Sequence, residues 1–289
     1  MEYSYYPGCA LHSGAKEFDL STRFVCETLD IKLKDLSGWS CCGAASAHYI
    51  NHDLSLALPA RNLMLASKNG HCMVTSCSLC YNKLKRASKA LEEDRKLKEK
   101  LKEIAGIDYL FEVKVKNILE VLNEELGVDK IREKRRVSLN NLKIACYYGC
   151  LLTRPKEICG FDNHEHPTFM ENILGSLGAK TVNWSYKTEC CGADLSLPNL
   201  EIVLKLTSKI IKMAKEAGAD CLVTACPLCQ ANLELRQEEA GKQFNFEPDF
   251  PILYYTELMG ISLGSRNALR WIDMHIVDSK RLLKVHGII

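Results

Sequence analysis

Two adjacent cysteines followed by glycine, Cys41–Cys42–Gly43, constrain this chain more than any other stretch, because they recur together with their surroundings. The first copy runs Cys9, Cys41–Cys42–Gly43, Cys77–Ser78–Leu79–Cys80. The second runs Cys150, Cys190–Cys191–Gly192, Cys226–Pro227–Leu228–Cys229. In both, 34 residues separate the double cysteine from the C-x-x-C. The flanks agree as well. Tyr5–Tyr6–Pro7–Gly8 precedes Cys9, and Tyr147–Tyr148–Gly149 precedes Cys150. From lone to double cysteine the step is 32 positions in the first copy and 40 in the second, so the second carries eight extra residues. A period this long marks a duplicated module, not a solenoid. The glycine after each double cysteine is expected to leave room for a bulky group against the backbone.

The 289 residues suffice for one large core or two medium ones. Apolar content of 47% and charged content of 26% are ordinary for a globular protein. A net charge of +2 gives no reason to expect nucleic acid or an anionic membrane surface as partner. No apolar run approaches the roughly 20 residues of a membrane span. Met1–Tyr5 has neither a basic region nor a leader-like apolar run, so a cytoplasmic location is expected. Fifteen cysteines in a reducing compartment are poorly explained by disulfides. Adjacent cysteines rarely bond to each other, and metal ligation accounts for them better.

Along the chain, strands are expected at Met1–Tyr6, Ile31–Leu36 and His71–Thr75, with helices over Phe18–Leu29, Leu54–Ala66 (capped by Asp53) and Leu79 to about Lys102. A strand at Tyr109–Val113 and a helix over Lys116–Leu122 close the first module. Ile252–Tyr255 and Thr256–Gly260 are their counterparts in the second. The second module also offers strands at Leu142–Tyr147, Thr181–Trp184 and Cys221–Thr224. Its helices are expected over Met170–Leu177, Leu200–Ala217, Leu228 to about Glu239 and Ala268–Ile276. This alternation implies an α/β fold of two pseudo-twofold modules, each a small, mostly parallel sheet with flanking helices. The expected boundaries are 1–127, a charged linker at 128–141, and 142–289. Each group of repeated cysteines follows a strand, and in such sheets ligands collect at the carboxyl ends of strands.

Thiolates select zinc, copper(I) or iron–sulfur species. A four-cysteine zinc site would leave one of five thiols idle in both copies. A thioredoxin-like C-x-x-C normally lacks a partnering double cysteine. The remaining thiols have plainer readings. Cys72 and Cys221 sit at matching strand positions and Cys26 on a helix, as small buried apolar groups. Cys159 has no counterpart, and Cys146 is the one rival to Cys150.

The duplicated pattern resembles the CCG domain. Two tandem copies and little else resemble the CCG-bearing subunit family of heterodisulfide reductases from methanogenic archaea. The resemblance covers Tyr5 to about Gly264. It implies two noncubane [4Fe–4S] clusters, one on Cys9, Cys41, Cys42, Cys77 and Cys80, the other on Cys150, Cys190, Cys191, Cys226 and Cys229. It also implies reduction of the coenzyme M–coenzyme B disulfide between the clusters, one electron from each. Iron–sulfur subunits of glycolate, lactate and succinate-linked flavin dehydrogenases carry similar repeats, so an electron relay without catalysis is the alternative. Those relatives often add ferredoxin-type cysteine runs, and none occurs here. The expected partners are therefore a flavin-containing subunit and a small ferredoxin-like iron–sulfur subunit, with no flavin on this chain.

Such a substrate carries a sulfonate at one end and a phosphate and carboxylate at the other. Anions call for cations or helix N-termini. Lys16 near Cys9, Arg154 and Lys156 near Cys150, and Lys187 before the second double cysteine are the candidates, against the plainer reading of surface charge. His164 and His166, in the second module's insertion, are candidate proton donors to a leaving thiolate. His12 stands with Lys16 after Cys9, whereas His48 and His52 are expected to pack.

Overall fold

The computed structural model describes residues 1–44, 46–68, 70, 72–106 and 112–289. Two four-stranded parallel sheets carry it. The first joins β1 (Glu2–Tyr5), β2 (Lys32–Asp35), β3 (Cys72–Thr75) and β4 (Lys114–Asn117) in the order β2-β1-β3-β4. The second joins β5 (Lys143–Tyr147), β6 (Lys180–Thr181), β7 (Cys221–Thr224) and β8 (Ile252–Tyr254) in the matching order β6-β5-β7-β8. In register, Tyr3 faces Leu33, Tyr5 faces Val74 and Thr75 faces Asn117. The central strands are buried, whereas β2, with sequence KLKD, is polar enough for an exposed edge.

The helices of the first module are α1 (Gly8–His12), α2 (Lys16–Thr28), α3 (Ser46–Ile50), α4 (His52–Ala66), α5 (Ser78–Glu93), α6 (Arg95–Ala105) and α7 (Ile118–Glu120). α8 (Val128–Glu133) lies in the charged stretch, yet it buries Ile131. The helices of the second module are α9 (Lys156–Cys159), α10 (Phe169–Ser176), α11 (Leu200–Glu216), α12 (Pro227–Leu235), α13 (Gln237–Phe244), α14 (Tyr255–Ser262), α15 (Ala268–Ile272) and α16 (Lys280–Val285).

Several elements differ from expectation, each for a local reason. α4 begins at His52 because Asn51, not Asp53, is its cap, accepting from Leu54 N–H at 3.0 Å. The long helix after the first C-x-x-C breaks at Asp94. That residue is extended (φ −121°), and its carboxylate caps α6 by accepting from Leu97 N–H at 3.0 Å. Lys116 is in a strand, and the helix starts only after Asn117, where Asn117 and Glu120 satisfy each other's backbone N–H groups. The strand expected at Tyr109–Val113 falls mostly outside the described residues, as does His71. β6 stops at Thr181, and Trp184 bonds to the neighbouring strand β5 through its indole, Nε1–H donating to the Cys146 carbonyl at 3.0 Å. The helix expected over Leu228–Glu239 breaks at Arg236, and α15 ends at Ile272.

The modules share a core, and the second module adds a smaller one of its own. Phe18 of α2 stacks on Tyr254 with ring centroids 4.1 Å apart and planes 2° from parallel. Ser21 and Thr256 share a buried hydrogen bond of 2.7 Å. The second module's insertion adds to this seam. Its Phe161 packs against Tyr81 of α5, whose hydroxyl donates to the Cys159 carbonyl at 2.7 Å. The Asn82 amide donates to the Leu151 and Arg154 carbonyls at 3.0 and 2.8 Å.

Candidate metal centre

The shared strand order brings three loops to one end of each sheet. β1 leads to Cys9, β2 to Cys41 and Cys42, and β3 to Cys77 and Cys80. β5, β6 and β7 deliver Cys150, Cys190 with Cys191, and Cys226 with Cys229. Each C-x-x-C opens a helix, so its second sulfur sits one turn in.

The double-cysteine loops are held alike in both modules. The Tyr6 hydroxyl donates to the carbonyl of Ser40, just before Cys41, at 2.9 Å, and Tyr147 donates to Glu189, just before Cys190, at 2.7 Å. Asn62 bonds both the N–H and the carbonyl of Ser40, and Asn232 donates to the Cys191 carbonyl at 2.9 Å. The Cys41 and Cys190 sulfurs accept from Gly43 N–H at 3.4 Å and Gly192 N–H at 3.3 Å.

The glycines divide into two jobs. Gly43 and Gly192 have φ of +83° and +79°, and a Cβ there would meet Ala47 at 2.8 Å or Leu206 at 2.9 Å. They make a left-handed turn pressed against a helix, so the room expected for a bulky group is absent at these positions. Gly8 and Gly149 instead press against cysteine sulfurs. A Cβ on Gly8 would lie 2.9 Å from Cys80 Sγ, and one on Gly149 would lie 3.2 Å from Cys229 Sγ. Gly8 also has φ +77°. Gly8→Ala is expected to cost about 1–3 kcal/mol in backbone strain. It should also remove the metal of the first module, read as iron per chain after anaerobic loading. Gly14→Ala, where a Cβ meets nothing within 4 Å, is the control. Equal iron in both variants would contradict the placement.

Several thiols of each module are in direct contact. Cys9 and Cys41 are 3.6 Å apart, Cys42 and Cys80 are 3.5 Å apart, and the Cys77 sulfur accepts from the Cys80 N–H at 3.5 Å. Cys191 and Cys229 are 3.5 Å apart. The two C-x-x-C segments meet at the module seam, where the Ser78 hydroxyl donates to the Ala225 carbonyl at 3.0 Å. The Cys41 and Cys80 thiols hold Cys42 down to about 3 against burial, helped by the Ala44 N–H and the Lys83 charge. Cys150 in the same way holds Cys190 down to about 6. Such depressed thiols are the thiolate form that ligates metals. The other cysteines stand apart. Burial raises Cys26 to about 12 and raises Cys72, Cys146 and Cys221, while Cys159 accepts from the Asn82 amide at 3.2 Å.

A cleft of about 540 Å³ opens between the modules. Cys150 and Cys190 line it from the second module. Lys83, Arg86 and Lys89 of α5 line it from the first, together with His48 and His52, which are exposed there, not packed. Leu79 and Leu228 give it an apolar stretch. The three cations recur every third residue after Cys80, and that helical spacing is the signal in the sequence that marks them. The cations named from sequence lie elsewhere. Lys16 and Lys156 are exposed at the starts of α2 and α9. Arg154 bonds Thr188 and lies 3.7 Å from Glu165. Lys187 is buried, paired with Glu171 and donating to the Pro167 carbonyl at 2.9 Å. His164 lies 3.6 Å from Glu165 in the insertion, His166 is exposed there, and His12 packs edgewise on Trp39.

A family model described as the CCG cysteine-rich domain matches residues 3–85 and 144–234. The 8-methylmenaquinol:fumarate reductase membrane anchor subunit of Wolinella succinogenes is 34% identical over 284 residues, spanning 97% of this chain and 99% of that protein. A ferredoxin:CoB-CoM heterodisulfide reductase subunit of Methanosarcina mazei is 32% identical over 276 residues, spanning 90% and 89%. A protein of Archaeoglobus profundus that is itself described as like a heterodisulfide reductase subunit is 26% identical over 272 residues, spanning 91% of each chain. Among solved structures, a hypothetical protein from Helicobacter pylori has the same fold, with a TM-score of 0.75 and 15% identity. The match spans 95% of this chain and 51% of that one. Among the described residues, no helix is long and apolar enough to cross a membrane.

Proposed function

Since the chain belongs to the CCG cysteine-rich family, in tandem form, we propose that it is the catalytic iron–sulfur subunit of an oxidoreductase complex that reduces the coenzyme M–coenzyme B disulfide. Each module holds a noncubane [4Fe–4S] cluster on its five thiols. Several observations support that ligand count. Cysteine sulfurs lie within 3.6 Å of one another in both modules, and Gly8 and Gly149 let the second C-x-x-C sulfur lie close against the backbone. When bound, two such clusters supply two single electrons, the number that cleaves a disulfide to two thiols with uptake of two protons.

The cleft carries the substrate assignment. It combines thiols of one module with the helix that bears Cys80 of the other, and its three cations suit anionic substrate ends. Lys83 serves both sides, lying within the electrostatic reach of Cys42 and Asp194. Electrons arrive from a flavin-containing subunit through a small ferredoxin-like subunit, in the cytoplasm. The second reading, a relay subunit of a flavin dehydrogenase of the succinate type, is favoured by the near-complete span shared with the fumarate reductase relative.

The test compares Arg86→Ala with wild type in reduction of the coenzyme M–coenzyme B disulfide by an artificial donor. Loss of a charge-assisted contact of about 1.5–3 kcal/mol raises KM by roughly 10- to 150-fold. The value of kcat should hold, because the contact is the same in ground and transition states. Iron-loaded protein that ignores the disulfide yet accepts electrons from a quinol would move the assignment to the relay.

A further inference from the structure

We infer that the two modules have unequal reduction potentials and load in order, the first electron settling on the first module and the second on the second. Lys83, Lys85 and Arg86 of α5 favour the electron on one side, and Glu234 and Glu257, clasped around a buried His275, oppose it on the other. The inference rests on the two-cluster reading above and adds an order of loading to it.

The two neighbourhoods occupy matching places. Thr75 pairs with Asn117 in the first sheet, and Thr224 pairs with Tyr254 in the second. Asn117 and Tyr254 each start a helix, and each N–H donates to the glutamate three residues on, Glu120 at 2.6 Å and Glu257 at 2.9 Å. Five positions after Cys80 on α5 stands Lys85, and five after Cys229 on α12 stands Glu234. Over residues 83–86 the first helix reads Lys–Leu–Lys–Arg, where the second, over 232–235, reads Asn–Leu–Glu–Leu. Five residues of helix rise about 7.5 Å, within the screening length of about 8 Å at physiological salt.

In the first module, Lys85 lies 5.6 Å over the Tyr81 ring and lines one cavity with Glu120. In the second, Gln230 stands for the tyrosine and Glu234 for the lysine, and the chain brings in His275 as their partner. Where α15 stops at Ile272, His275 turns inward until its side chain is 1% exposed. Its Nε2 lies 3.0 Å from both Glu257 oxygens, and its Nδ1 lies 3.5 Å from Glu234. The Gln230 amide lies 3.0 Å from the same Nδ1 and donates to Glu234 at 2.8 Å. The set is fastened to the ligand loop, since Gln230 directly follows Cys229 and its N–H donates to the Cys226 carbonyl at 3.0 Å.

Two glutamates against one imidazolium leave one negative charge behind the second thiol set. Three cations against Glu120 leave two positive charges behind the first. A neutral His275 or a protonated Glu120 would widen that difference, so its sign depends on neither proton. Hydrogen bonding to the double cysteines does not offset it, because Cys41 and Cys190 each accept one glycine N–H. Local charge and hydrogen bonds to sulfur set the potential of such a centre. Nearby positive charge holds an added electron, and buried negative charge repels it. Each loading step adds one electron to one module, with no bond made or broken. The module that carries Cys229 thus gives the more reducing electron of the pair.

The experiment is a potentiometric titration with dithionite at pH 7, without disulfide, followed by the paramagnetic resonance of the reduced protein. Iron and sulfide are counted first. A chain without clusters would overturn the iron–sulfur reading and this inference together. Loaded wild type should reduce in two one-electron steps. Cys191→Ala should keep the upper step and Cys42→Ala the lower one. A single merged step in wild type, or the reverse assignment, would overturn the inference alone. In the full chain, Glu234→Gln should raise the lower step and His275→Gln should lower it, while Lys85→Gln should lower the upper step. Opposite shifts from two residues in contact are not what simple loosening of the fold produces. Shifts of Glu234→Gln and His275→Gln in the same direction, or none, would overturn the charge assignment.

Discussion

Cys42→Ala and Cys191→Ala are each expected to abolish steady-state disulfide reduction, to below about a hundredth of the wild-type rate, not to halve it. Each thiol is buried and contacts the second C-x-x-C sulfur of its own module, Cys80 or Cys229, at 3.5 Å. No neighbouring side chain replaces it, because Cys26, Cys146, Cys159 and Cys221 are buried in the core. Iron should fall from about eight to about four per chain in either single variant, as two four-iron groups imply. The rate should fall much further, because a two-electron cleavage needs both modules, and groups that act as a unit lose activity together. The double variant should then be no worse than either single one. Circular dichroism must first show that the fold and the remaining cluster survive. A single variant retaining half the rate would show that the modules work independently.

Phe18→Ala should produce the largest loss of stability of any single truncation at the module seam. The ring is fully buried and lies parallel to Tyr254, with Tyr255 edgewise at 6.1 Å. Truncating such a ring costs about 3–5 kcal/mol, since both the transfer energy and the cavity count. The cavity would open beside Tyr254, where the two modules meet, so iron retention should fall in both modules at once. Urea unfolding of the metal-free chain gives the stability change without the clusters' contribution. A loss under about 1 kcal/mol would mean that the seam closes over the gap.

Much of this architecture is legible because the cysteines repeat in register with strands. Val74–Thr75 and Val223–Thr224 announce buried strands, and a C-x-x-C after each of them sets where a helix begins. Element ends are harder to read. Asp94 sits among charges that look like a continuous solvated helix face, yet its own carboxylate starts a new helix. Gly43 reads as space for a ligand, but Ala47 and Leu58 fill that space, and no local pattern reveals their positions. Lys187 reads as a substrate contact, but Glu171, sixteen residues away in sequence, holds it. His275 gives no signal because its partners, Glu234 and Glu257, are scattered over two helices that only the tertiary fold brings together.

The insertion of the second module also decides which modules pair. Two copies of one fold joined in a chain face a choice, since either copy has a similar surface to offer to a copy on another chain. Phe161, the Cys159 carbonyl and the Leu151 and Arg154 carbonyls answer Tyr81 and Asn82 on α5 of the first module. The matching place in the second module's own C-x-x-C helix holds Gln230, which turns instead toward His275. The lock therefore fits one key. Two second modules brought together would leave Phe161 without Tyr81 and the carbonyls without their donor, so an exchange of modules between chains is disfavoured from both sides.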